Sequence, residues 1–193
     1  MNPHAHIVAG VAALLATLTS LLHLPPILLW NASASAPEGL YLIVPADRLA
    51  VGQLVAVRPE SVFEDLMARR GYLPRGVPLL KHIAALPGQQ VCRKAGSITI
   101  DGRHVADALE RDGQGRPLSS WRGCVSLSDG NVFLLNADVP DSFDGRYFGP
   151  TPASSIVGIA VPVWTTAISF APTASPSGTM RSEPFINSTG VSP

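Results

Sequence analysis

The sequence predicts a mainly β domain that carries one short helix and is tethered by an N-terminal membrane-spanning helix. Three observations predict this. No Asp, Glu, Lys or Arg occurs in residues 1–30, where apolar residues dominate. Beyond Pro37 the apolar residues fall into short runs bounded by Gly, Pro and Asp, the pattern of strands and turns. Only "SVFEDLMARRG" spaces them as a helix does.

In chain order, "HIVAGVAALLATLTSLLHLPPILLW" exceeds the roughly 20 apolar residues that cross a bilayer as a helix, and Pro25 and Pro26 bend or end it. A cleavable signal peptide would have a basic start and a shorter apolar run. Only His4 and His6 precede this longer one, so residues 1–30 read as an anchor. "NASASAPEG" follows, with Ala-x-Ala twice; it reads either as a site where this chain is cut or as a turn that presents a functional serine. "LYLIV" and "QLVAVRP" are strands separated by the turn-rich "PADRLAVG". Ser61 with Glu64 forms a capping-box pattern that opens a helix ending near Gly71. "LLKHIAALPG" is the next strand, and "SITIDGRHV" is a hairpin turning at Asp101-Gly102. Residues 106–123 are polar and loop-like. "NVFLLNAD" resumes as a strand, "VPDSFDGRYFG" is a turn cluster, and "SSIVGIAVPVW" closes the domain. The Ser-, Thr-, Pro- and Gly-rich end of the chain is expected to be disordered. The organisation is therefore an anchor (1–30), a β domain (31–165) and a tail (166–193).

Composition excludes some functions. Fourteen Lys and Arg balance fourteen Asp and Glu, so no polybasic surface for nucleic acid is expected. Mean hydropathy is +0.25, an excess that suits a membrane segment. Cys92 and Cys124 are the only cysteines; outside the cytoplasm they would form one disulfide, and two buried thiols are the alternative. Without Cys-x-x-Cys, His-Glu-x-x-His or EF-hand spacing, no metal or other cofactor is expected.

One residue breaks the apolar pattern. Lys81 lies inside "PLLKHIAALPG", where a lysine is either a snorkelling edge residue or a desolvated amine that gives up its proton near neutral pH. In the second case it can serve as a general base, and Ser35 in "SASAPEG" is the matching nucleophile. His82 would point to the opposite face of the strand, which argues against a Ser-His-Asp triad.

"SAS-AP" after an apolar run, "VGQLVAVRP", "LLKHIAALPGQQV" and "NADVPDSFDGRYFG" resemble, in that order, the conserved boxes of type I signal peptidases, family S26. "PEGLY" after the serine and "RGYLPRGVPLLK" bring the chain closest to the TraF-type peptidases of conjugative plasmid transfer. The resemblance implies a signal-peptidase-like β fold and a Ser/Lys dyad, with Ser35 as nucleophile and Lys81 as base. Ser33 would assist the oxyanion hole, Ser142 would orient the lysine, and Asp144 and Arg146 would support the site. Two departures stand out: Pro37 follows Ser35 by two residues rather than three, and Ala36 replaces the family's methionine. The resemblance further implies an inner-membrane protein with its catalytic domain on the periplasmic side. Its substrate would be a membrane-bound, pilin-like precursor, cut or joined head to tail, with other conjugation proteins as further partners. The rival expectation is a non-catalytic, membrane-anchored β domain acting as an envelope assembly adaptor.

Overall fold

Two antiparallel sheets make up the frame of this computed structural model, which describes residues 28–166 and, nearer the N-terminus, residues 7–11, 13, 14 and 17. The first sheet has seven strands. They are β1 (Leu28–Asn31), β2 (Gly39–Val44), β3 (Leu54–Val57), β4 (Leu79–Ala85), β9 (Asn131–Leu135), β10 (Thr151–Pro152) and β11 (Ile156–Thr165), in the spatial order β1-β2-β11-β3-β4-β9-β10. The second contains β5 (Gln90–Lys94), β6 (Ser97–Ile100), β7 (Arg103–Asp107) and β8 (Gly123–Ser126), in the order β7-β6-β5-β8. Helices α1 (Ser61–Arg70) and α2 (Gly145–Phe148) accompany the sheets.

Strand alternation shapes the interior. In β2, Gly39, Tyr41 and Ile43 are buried while their neighbours are partly exposed. Gly39 is obligatory: at φ +147° a Cβ would lie 2.1 Å from the Trp164 carbonyl oxygen of β11. Three cores result. Val55, Val57, Met67, Leu79, Ile83, Val132, Leu134, Phe143 and Tyr147 pack between the first sheet and α1. Ile98, Val91, Phe133 and Leu135 fill the space toward the second sheet. Ala36, from the loop between β1 and β2, packs with Tyr41, Ile43, Ala56, Leu80 and Ala160.

Several sequence expectations are corrected in detail. The Ser61/Glu64 capping box does not form: Ser61 is the first helical residue, Glu60 occupies the cap without a side-chain bond, and Glu64 instead accepts the Gly76 N–H at 2.6 Å. The loop that returns from α1 therefore claims the carboxylate. At the other end, Gly71 adopts the left-handed conformation and the chain closes through Gly71 N–H to Ala68 and Tyr72 N–H to Met67. The "VPDSFDGRYFG" cluster holds a helical turn, α2, capped by the Asp144 side chain. Strands β5 and β8, not expected as separate elements, pair Cys92 with Cys124, which form a disulfide.

Strand β1 starts at Leu28, within the stretch expected to be anchor. The anchor otherwise lies mostly outside the described residues, as does the tail from 167 onward. No helix among the described residues is long and apolar enough to cross a membrane.

Candidate active site

The seven-residue loop 32–38 joins β1 to β2 and is closed by the pair Asn31↔Gly39. It carries Ser33 and Ser35. Lys81 comes from the middle of β4, paired with Val55 of β3. The two-residue repeat puts it on the face of Leu79 and Ile83 and turns His82 outward. Ser142 is on the loop between β9 and α2. All four side chains line one cleft of about 250 Å³, whose remaining walls include Met67, Tyr72, Leu73, Leu109, Leu118, Phe143 and Tyr147.

Lys81 is 1% exposed. Burial pushes its amine down to about 8; Asp144 opposes this, Arg146 adds to it, and Asp141 opposes it again. Its Nζ donates to Ser142 Oγ at 2.7 Å. The Ser35 hydroxyl is bonded to Ser33 Oγ at 3.1 Å. Ser35 and Lys81 thus face the same cleft with no hydrogen bond joining them in this state.

Behind Ser142 lies a buried ion pair. Asp144 is fully enclosed and Arg146 is 1% exposed, with Arg146 Nη2 2.9 Å from the Asp144 carboxylate. Two such charges out of water require further partners, and they have them. Arg146 donates to the carbonyls of Val139, Pro140 and Ser142 at 2.7, 3.0 and 3.2 Å. Asp144 accepts the N–H groups of Asn136 and Arg146 at 3.0 and 3.1 Å. The pair therefore gathers the loop that presents Ser142. Gly145, between them, is fixed by packing, since a Cβ there would meet the Leu134 carbonyl at 2.6 Å and the Phe133 ring at 2.7 Å. Phe143 stacks on Tyr147 with ring centroids 5.4 Å apart, anchoring the same loop from the apolar side.

The expected site residues Ser33, Ser35, Lys81, Ser142, Asp144 and Arg146 are thus brought to one place. Cys92 and Cys124 do not line the cleft; they pair across β5 and β8 in the second sheet. The sequence reading missed Asn31 and Asn136, whose buried carboxamides touch the Ser35 loop. Asn136 stands inside one of the resemblance boxes, but asparagine itself signals no particular role. It also missed the contribution of residues 109–118 to the cleft wall. There Asp112 accepts from Tyr72 and, within the segment, from Arg116 at 2.6 Å, while Arg70 at the end of α1 donates to the Pro117 carbonyl at 2.8 Å.

Over 147 residues the chain is 41% identical to a probable conjugal transfer protein TraF of Sinorhizobium fredii, covering 71% of this chain and 77% of that one. Over 145 residues it is 39% identical to the conjugal transfer protein TraF of Agrobacterium tumefaciens, covering 70% and 81%. A signal peptidase I crystal structure from Enterococcus faecalis is similar over 58% of this chain and 97% of that one, at 17% identity and a TM-score of 0.34. The profile described as "Signal peptidase, peptidase S26" matches residues 3–165, and by that match the chain belongs to the signal peptidase family, peptidase S26.

Proposed function

We propose that this protein is a membrane-anchored serine endopeptidase of conjugative transfer that processes a pilin-type precursor, with Ser35 as nucleophile and Lys81 as base. The observation that carries the reading is the buried Lys81 amine, lowered to about 8 and held on Ser142 in the cleft that also contains Ser35. A substantial fraction of such an amine is neutral near physiological pH, as a general base must be. The likeness to conjugal transfer proteins supports the biological setting. The Cys92–Cys124 disulfide supports a compartment outside the cytoplasm.

The chemistry follows from the groups in place. Neutral Lys81 Nζ takes the Ser35 hydroxyl proton as Oγ bonds to the substrate carbonyl carbon. The Ser35 N–H and the Ser33 hydroxyl, its proton turned from Asn31 toward the bound substrate, stabilise the oxyanion. The C–N bond breaks as Lys81 returns the proton to the leaving amine. Water then adds to the acyl-enzyme with Lys81 again accepting a proton, and Ser35 leaves as the hydroxyl. If the precursor's own N-terminal amine replaces water, the product is a ring, lighter than the linear product by one water.

The test uses full-length protein reconstituted in lipid vesicles with a membrane-bound pilin precursor. Wild type should yield product, while Ser35→Ala and Lys81→Met should each fall by on the order of a thousandfold or more. The mass of the product distinguishes ring from chain. Processing that survives both substitutions would favour the adaptor reading instead.

A further inference from the structure

The loop bearing Ser35 is held by side chains. Asn31, at the end of β1, is 7% exposed. Its Nδ2 donates to the carbonyls of Ser33, Ala36 and Pro37 at 3.0, 3.0 and 3.1 Å. Its Oδ1 accepts the Ser33 N–H at 3.1 Å and the Ser33 hydroxyl at 2.9 Å. Asn136, at the end of β9, is 3% exposed. Its Nδ2 donates to the carbonyl of Ser35 and, at 3.2 Å, to that of Leu80. Its Oδ1 accepts the His82 N–H at 3.1 Å and faces His82 Nδ1 at the same distance. The carbonyls of Ser33, Ser35, Ala36 and Pro37 are each taken by a carboxamide.

These bonds have a fixed polarity. An amide nitrogen only donates, so both Oδ1 atoms must accept, and His82 carries a proton on Nδ1. A serine has one hydroxyl proton. With the Ser33 proton given to Asn31, the Ser33–Ser35 bond is donated by Ser35. Asn136 is itself immobilised, its N–H on Asp144 and its carbonyl accepting from Arg146 at 3.3 Å. It therefore ties three parts together: the Ser35 peptide, the backbone beside Lys81, and the buried ion pair.

We propose that Asn31 and Asn136 are positioning residues that clamp the 32–38 loop from its two sides, Asn31 setting the Ser33 hydroxyl and Asn136 setting the Ser35 peptide relative to Lys81. Neither touches the reacting atoms. The clamp acts by holding the Ser35 oxygen within attacking distance of a bound acyl group, and misplacement by about 1 Å costs on the order of a hundredfold in rate. The proposal rests on the Ser35/Lys81 reading above.

The test measures p-nitrophenol release from the p-nitrophenyl ester of N-acetyl-Ala-Ala-Ala by the full chain in lipid vesicles. Asn31→Asp and Asn136→Asp keep shape and acceptor but lose the N–H donors. Each is expected to lower kcat by roughly 10- to 100-fold with KM little changed. Ile98→Ala, in the core beside the second sheet, serves as a destabilised control that keeps its kcat. Full kcat in the two Asn variants, or a loss no larger than the unfolded fraction explains, would overturn the clamp. Should Asn136→Asp not fold, His82→Ala removes only the exposed partner of Asn136; a kcat reduced severalfold supports the clamp and an unchanged one rejects it. Ser35→Ala separates the two ideas. If it releases p-nitrophenol as fast as wild type, the site reading itself fails; if it is inactive while the Asn variants are unimpaired, only the clamp does.

Discussion

At Lys81 the environment decides when the base is available. The neutral form predominates above about pH 8, so peptidase activity should rise with pH through that value. Asp141, which faces the cleft, raises the lysine's proton affinity. Asp141→Asn should therefore move the midpoint of the pH–rate profile to lower pH. Stability follows the same protonation. The unfolded lysine binds its proton more tightly than the folded one, so stability rises with pH between about 8 and 10.5 and is lowest below that window. Lys81→Met should remove activity and raise stability at pH 7 by about 1–3 kcal/mol, measured by urea unfolding. Lys81 was legible as a candidate because a lysine inside an apolar strand breaks the local pattern, and Ser35 because it stands in a motif that resembles the family's. Asn31 and Asn136 were not, because a carboxamide's role depends on which carbonyls the tertiary fold brings to it. Ser33 shows the difference: its place in the motif was readable, but the donation of its proton to Asn31 was not.

Among the elements, residues 108–122 join the cleft to the second sheet. They leave β7, form one wall of the cleft through Leu109, Asp112 and Leu118, and return as β8. Strand β8 is exposed along its whole length; its pairing with β5 and the Cys92–Cys124 bond hold it. Removing the bond with Cys92→Ser and Cys124→Ser should cost about 2–4 kcal/mol of stability. It should also raise KM for the peptide substrate severalfold while leaving kcat near wild type, since Ser35 and Lys81 stand on other elements. An unchanged KM would show that the wall does not depend on β8. Sequence reading found the hairpin at Asp101-Gly102 because its turn chemistry is local. It missed β8 because "GCVS" is short, exposed and made a strand only by its partner β5. The failed capping box has the same origin: a distant N–H, that of Gly76, outcompeted the local one for Glu64.

For the molecule as a whole, the surface beside the site is apolar. Trp30 and Trp164 stack with centroids 5.8 Å apart, both more than half exposed, with Leu28, Val161 and Val163 exposed as well. Indoles favour the bilayer interface, so on the membrane-anchored reading proposed above this face rests on the bilayer. Brominated lipids should quench most of the tryptophan fluorescence of the full chain in vesicles. The Trp30→Phe, Trp164→Phe variant, which retains only Trp121, should escape quenching. Equal quenching of both proteins would reject that orientation. The mainly β character was readable from period and turns, but the strand order was not. Strand β11, the last among the described residues, lies between β2 and β3 and joins the Ser35 hairpin to the strands that carry Lys81. The segments that carry Ser35 and Lys81 are thus made early during translation, yet the sheet that joins β2 to β3 closes only once residues 156–165 have been made. On the proposed Ser35/Lys81 reading, proteolytic competence arrives with β11, so a chain that stops before residue 156 has no working site with which to cut its neighbours.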